Sequence, residues 1–178
     1  MNLPKPYAWL AAEPGPRILT EFIKVYGTSE LKGPGSNPSI LLWAKTIGLK
    51  DSYKDDAIPW CGLAMAYVAA QAGWEYAPRG NALWARNWLY WGNEAKVPML
   101  GDVLVFSRGS SGHVAVYVGE DAEAYHVIGG NQGDRVSIAR KPRARLLGAR
   151  RCPWRINQPA NVRRVFLDAG GALTGSEA

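Results

Sequence analysis

Only two cysteines and two histidines occur among the 178 residues. Two cysteines are too few for a disulfide scaffold, and neither Cys61 nor Cys152 is flanked with metal-ligand spacing. No run approaches the roughly 18 uninterrupted apolar residues that a membrane helix needs. The N-terminus, MNLPKPYAWLAAEPGPR, has no long apolar core behind a basic start, so the expectation is synthesis in the cytoplasm without a signal peptide. With 47% hydrophobic and 20% charged residues the chain is not a disordered tail, and its length suits one compact domain with a real core.

Acidic residues are missing from one stretch altogether. Residues 135–164 hold ten Lys/Arg and no Asp or Glu, whereas residues 1–134 hold eleven Lys/Arg against thirteen acids. The net charge of +6 therefore originates in one late segment. Such a block points to an anionic partner, or else to a solvated arginine-rich face. Nucleic acid is a poor fit, because the block contains a single aromatic, Trp154, and no recognition motif.

Periodicity divides the chain in two. Pro16 to Tyr26 reads as a helix stopped by Gly27, and Asn37 caps a second helix begun by Pro38 and running to about Lys45. Pro59 to Gln71 reads as a third, ended by Gly73, and Trp84, Trp88 and Trp91 form a helical stripe closed by Gly92. After Pro98 the segments become short and β-branched: 103–107, 113–118, 124–129, 135–138 and 146–151. Helices followed by a strand meander predict an α+β fold, with helices packed against an antiparallel sheet. A single domain is expected over 1–158, helical to about 97 and sheet over 98–155. Residues 159–178 read as a tail in which Val162, Val165, Phe166 and Leu167 can dock and GGALTGSEA frays.

The chemistry-bearing residues are few enough to weigh individually. Cys61, just after Pro59, falls in the first turn of a helix, where the dipole and free N–H groups favour a thiolate. The competing reading is a small core hydrophobe. A nucleophilic thiol needs a base, and only His113 and His126 are available. Pairing Val118 with Ala124 across the Gly119–Glu123 connection sets His113 opposite Gly129, with Asn131 and the small Ala115 on the same face. In that register the Cys61 helix would approach over Ala115. Asn131 would accept from the far ring N–H of His113, while His126 would turn to the other face as a structural residue.

The blocks DDAIPWCGLAMAYVAAQAGW, LWARNWLYWG, GDVLVFSRG, GHVAVYVGED, AYHVIGGNQGDRVSI and LLGARRCPW fall in order over residues 16–155. They resemble a bacterial and phage-associated branch of the CHAP/NlpC-like, papain-related cell-wall peptidases. The resemblance implies a papain-like fold and cleavage of peptidoglycan amide bonds, in the stem peptide or between muramic acid and L-alanine. It implies Cys61 as nucleophile, His113 as base and Asn131 as orienting group. The chain departs from the CHAP pattern in having Gly129 where an acid is frequent. Asp51, Asp55 and Asp56 lie where some relatives hold calcium, but without a regular ligand loop; the alternative is helix capping and solubility. Tyr53 is available as an oxyanion donor of the kind some relatives use, and the backbone N–H of Cys61 is the other candidate.

Four further residues are expected to bind substrate. Trp60 and Trp84 would wall the cleft or lie in the core, with Trp88 assigned to the core. Gly112 and Gly129 would allow close approach beside the site, and Gly109 and Gly112 would make either a gating loop or a plain turn. Cys152 reads as structural.

The expected function is a cysteine endopeptidase or N-acetylmuramoyl-L-alanine amidase, with no metal or other cofactor required. It would be a monomer reaching the wall after release, by injection or on a phage particle. Segment 135–164 would contact an anionic wall polymer or lipopolysaccharide. The alternatives are a papain-like amide hydrolase or acyltransferase with another substrate, and an inactive binding or structural module of a phage particle.

Overall fold

Six antiparallel strands and three α-helices make up the ordered framework of the computed structural model, which describes residues 2–154, 157–168 and 173. Helices α1 (Arg17–Lys24), α2 (Pro38–Thr46) and α3 (Cys61–Gln71) precede the main strands. The strands are β1 (Asn93–Glu94), β2 (Val103–Arg108), β3 (Ser111–Glu120), β4 (Ala124–Gly129), β5 (Ser137–Pro142) and β6 (Leu146–Arg151). Their order in the sheet is β1-β6-β2-β3-β4-β5, every neighbour antiparallel. The chain is an α+β protein, as the switch in periodicity predicts. No helix of the described residues is long and apolar enough to cross a membrane.

Local chemistry explains the helix limits. The Asn37 side chain accepts from the Ser39 N–H, and Pro38 occupies the first turn of α2, where its missing donor costs nothing. Helix α3 is built of Ala, Leu, Met and Val, with eight of its eleven residues buried, so it is held by packing rather than by amphipathic patterning. The tryptophan stripe departs from expectation: residues Ala85–Tyr90 form a 3-10 helix, and Trp84 and Trp91 lie outside it in extended conformation. Trp88 and Trp91 are buried, each donating its indole N–H to a backbone carbonyl, Ala82 and Glu75 respectively. A second 3-10 helix, Lys5–Ala12, was not expected from the sequence.

The sheet separates two cores. Val103, Val105, Val114, Val116, Val118 and Ile128 pack with all three helices. Leu104, Phe106, Ala115, Tyr117, Tyr125 and Val127 form a smaller cluster with Ala95 and Ala149. Strand alternation puts these sets on opposite faces.

The β3–β4 register corrects the expected one. Val116 pairs with Ile128 and Tyr117 with Val127, and after an irregularity Gly119 pairs with His126. The connection is thus tighter than the predicted Val118–Ala124 pairing, with Asp121 closing it by accepting from the Glu123 and Ala124 N–H groups. A shift of two residues preserves which face each side chain takes, so His126 remains on the face of Val114 and Val116. The tail docks as far as Leu167: Glu120 and residues 165–167 exchange backbone bonds beside the end of β3. Apart from Leu173, the segment GGALTGSEA lies outside the described residues.

Candidate active site

Cys61 is the first residue of α3 and is buried. Its neighbours fix where the helix starts. Trp60 lies wholly inside, its indole N–H donating to Glu30 at 2.6 Å, so the expected cleft wall is a core residue. Gly62 faces the backbone carbonyls of Ala82 and Leu83 at a distance no side chain would permit. The residue that lets α3 settle on the sheet is Gly130, where a methyl group would come within 2.5 Å of the Ala64 Cβ. This corrects the expectation for Ala115, which faces Gly129 and belongs to the smaller core. Gly129 is accordingly a packing residue, its missing side chain making room for Ala115.

His113 is paired with Phe106 near the start of β3 and is buried. Its Nε2 lies 3.0 Å from Gln132 Oε1. The Gln132 amide nitrogen donates to the carbonyls of Val127 and Ser137, so Oε1 is held as an acceptor and His113 Nε2 must carry the proton. The lone pair therefore lies on Nδ1, which has no hydrogen-bond partner among the described residues. Burial drives the His113 pKa down to about 3, helped by Lys141 and Arg108, with Gln132 working weakly the other way. The ring is neutral at physiological pH, one nitrogen tied and the other open.

The side chain hydrogen-bonded to His113 is that of Gln132, not of Asn131. Asn131 has a φ of 54°, in the left-handed region, and the chain reverses there. That reversal lets the next side chain reach back to His113. Strand alternation continued past Gly129 points to Asn131; the left-handed residue is what breaks the alternation.

The segment 82–86 packs against the neighbours of both Cys61 and His113. Ala82 and Leu83 lie over Gly62, while Ala85 and Arg86 lie over Gly112. Gly112 is thus covered from beneath by Arg86 rather than left open for substrate. Arg86 also donates to the Ser111 and Gly109 carbonyls, pinning a two-residue turn between β2 and β3. Residues 109–112 are a fastened hairpin turn, the plainer of the two expectations. Of the proposed aromatic wall, Trp84 remains at the surface, 48% exposed, at the head of the same segment.

The other candidates are occupied structurally. The Tyr53 hydroxyl is buried and donates to the Ile58 carbonyl, leaving the helix N-terminus as the better oxyanion donor. Asp56 accepts from the Leu31 and Asn37 N–H groups, and Asp55 from Ala57. These carboxylates cap loops, and no group of three or more His, Cys, Asp or Glu among the described residues is arranged to hold a metal ion. Cys152 is buried, and burial pushes its thiol up to about 12, too high for a working nucleophile.

His126 is the counterpart of His113. Its Nδ1 is 2.6 Å from the Tyr7 hydroxyl and its Nε2 is 2.7 Å from Asp121, which Arg140 also holds at 2.8 Å. Arg140 and burial oppose each other at Asp121; the hydrogen bonds win and keep its carboxyl well below the usual range. The sequence alone did not reveal this network, since Tyr7 and His126 are 119 residues apart. No protein-family model, curated protein or solved structure matches this chain.

Proposed function

We propose that the protein is a papain-like cysteine hydrolase that cleaves amide bonds of peptidoglycan, as an endopeptidase or an N-acetylmuramoyl-L-alanine amidase. The observation that carries the reading is the state of His113: buried, neutral, tied at Nε2 by an anchored amide and open at Nδ1. A neutral imidazole fixed in that tautomer is what a general base beside a thiol requires. Structural histidines use both nitrogens, as His126 does.

In the proposed cycle substrate binding draws Cys61 and His113 together, since catalytic hydrogen bonds commonly tighten only in the complex. Nδ1 takes the thiol proton and Sγ attacks the amide carbon. The backbone N–H of Cys61 donates to the oxyanion. His113 then returns the proton to the departing nitrogen, the C–N bond breaks and a thioester remains. Water, deprotonated by the same nitrogen, attacks the thioester carbon; the C–S bond breaks, the acid leaves and Sγ recovers the proton from His113. Trp84, 48% exposed, would meet the substrate. The enzyme would act on the wall after release, injection or delivery on a phage particle.

The test is mass spectrometry of fragments released from purified sacculi, with Cys61→Ala as control. New amino and carboxyl ends that vanish with Cys61→Ala support the reading. Equal release by a folded Cys61→Ala protein overturns it. Rapid labelling of Cys61 by a thiol reagent without muropeptide cleavage would transfer the same chemistry to another amide substrate.

A further inference from the structure

Two groups of cations lead opposite lives in this fold. Of the ten Lys/Arg in 135–164, Arg140, Arg143, Arg150, Arg151, Arg163 and Arg164 all bond to oxygens of the chain itself. Arg143 and Arg164 clamp the buried Glu120, Arg151 holds the buried Asp102, and Arg163 meets Glu13. Five of the ten thus meet carboxylates contributed by residues 1–134.

Lys45, Lys50 and Lys54 are different. They are exposed, and no carboxylate lies within ion-pair distance of any of them among the described residues. All three border one cavity of about 520 Å³, whose apolar part comes from Pro38, Leu41, Leu42 and Tyr53. A single acid, Asp51, shares the rim. Volumes of roughly 300–1,000 Å³ suit small ligands and short peptide segments.

The chemistry narrows the occupant. No arginine lines the cavity, and its one aromatic, Tyr53, is buried, so it offers no stacking surface for nucleobases. Its exposed apolar side chains are Leu42, at 57%, and Pro38, too little for a face that inserts into lipid. Three ammonium groups beside an aliphatic surface match several carboxylates flanking one apolar side chain. We propose that this groove binds a short acidic peptide segment, its aliphatic side chain seated on Leu41 and Leu42 and its carboxylates on Lys45, Lys50 and Lys54. The groove does not depend on Cys61 chemistry, and its test is read without turnover.

The experiment is residue-resolved NMR of the full-length ¹⁵N-labelled protein titrated with acetyl-Glu-Leu-Glu-amide at low salt. The neutral comparison is acetyl-Gln-Leu-Gln-amide. The expected result is saturable shifts confined to residues 38–54 with the acidic peptide. Affinity should fall about tenfold in Lys45→Gln/Lys50→Gln/Lys54→Gln, survive in the corresponding triple Arg variant, and be unchanged in Cys61→Ala. Leu42→Gln should weaken binding at constant charge. Equal affinity of the triple Gln variant, shifts located elsewhere, or binding only to phosphatidylglycerol vesicles would each overturn the proposal.

Discussion

The surroundings of His113 and His126 differ in one respect that separates chemistry from architecture. Both rings are buried on strands of one sheet. Around His126 both ring nitrogens are bonded: Tyr7 takes one and Asp121 the other, and Arg140 donates to the same carboxylate. Around His113 a neutral amide fixes one nitrogen and nothing among the described residues takes the other. A closed network holds elements together at full hydrogen-bond value, whereas an unpaired buried acceptor costs about 1–3 kcal/mol. A group kept at that cost is a reason to look there for function.

The largest effect expected from this contrast lies at the thiol. Cys61→Ala should lower fragment release from sacculi about a thousandfold or more, with the thermal midpoint little changed. Next comes the anchor: Gln132→Ala frees the His113 ring and should cost about a hundredfold in kcat, because small misplacements of a base are expensive. Asn131→Gly keeps the left-handed turn and should leave the rate within about threefold. If Asn131 proved the sensitive position and Gln132 the tolerant one, the assignment of the orienting group would be reversed.

Acid should expose the same difference as a stability effect. The folded pKa of His113, about 3, lies below its ordinary value of 6.5, so the unfolded chain binds the extra proton. Its contribution to stability is complete above about pH 6.5 and is lost as pH falls toward 3. Asp121 and Glu120 act in the same sense at lower pH: their bonded arginines hold both carboxyls low, outweighing burial. Asp102 and Glu30, raised chiefly by burial, act oppositely. His113→Asn should flatten the fall in thermal midpoint between about pH 6.5 and 4; an unchanged slope would show that the ring is not neutral inside.

Packing changes give the smaller effects. Tyr7→Phe leaves His126 Nδ1 unpaired and should cost about 1–3 kcal/mol in denaturant titration with activity retained. Gly130→Ala, forced against Ala64 and Trp60, should cost about 1–3 kcal/mol. Gly133→Ala meets no atom within 4 Å and pays only for its φ of +65°, about 1 kcal/mol.

The elements were legible where local chemistry governs them. Asn37 and Pro38 mark the start of α2, and β4 and β6 run between the limits that their β-branched and turn residues suggest. The predicted Trp84–Trp91 helix failed because the indoles answer to carbonyl partners at Ala82 and Glu75. The β3–β4 register slipped by two because Asp121 caps the turn with its own side chain, a contact that periodicity does not encode. Strand alternation points to Asn131, but Asn131 has left the strand, and the bond to His113 comes from Gln132.

What the sequence by itself determined is the α+β class, the burial of the apolar face of the sheet, and a shortlist of two thiols and two imidazoles. Those follow from periodicity and composition, which are local. Tertiary structure alone decided which imidazole is left open, which amide orients it, and which cations are free. Each depends on partners from distant parts of the chain: Tyr7 for His126, Gln132 for His113, and the carboxylates of Glu13, Asp102 and Glu120 for the late arginines. Of that run of ten positive charges, folding supplies Arg140, Arg143, Arg151, Arg163 and Arg164 with carboxylates from elsewhere in the chain.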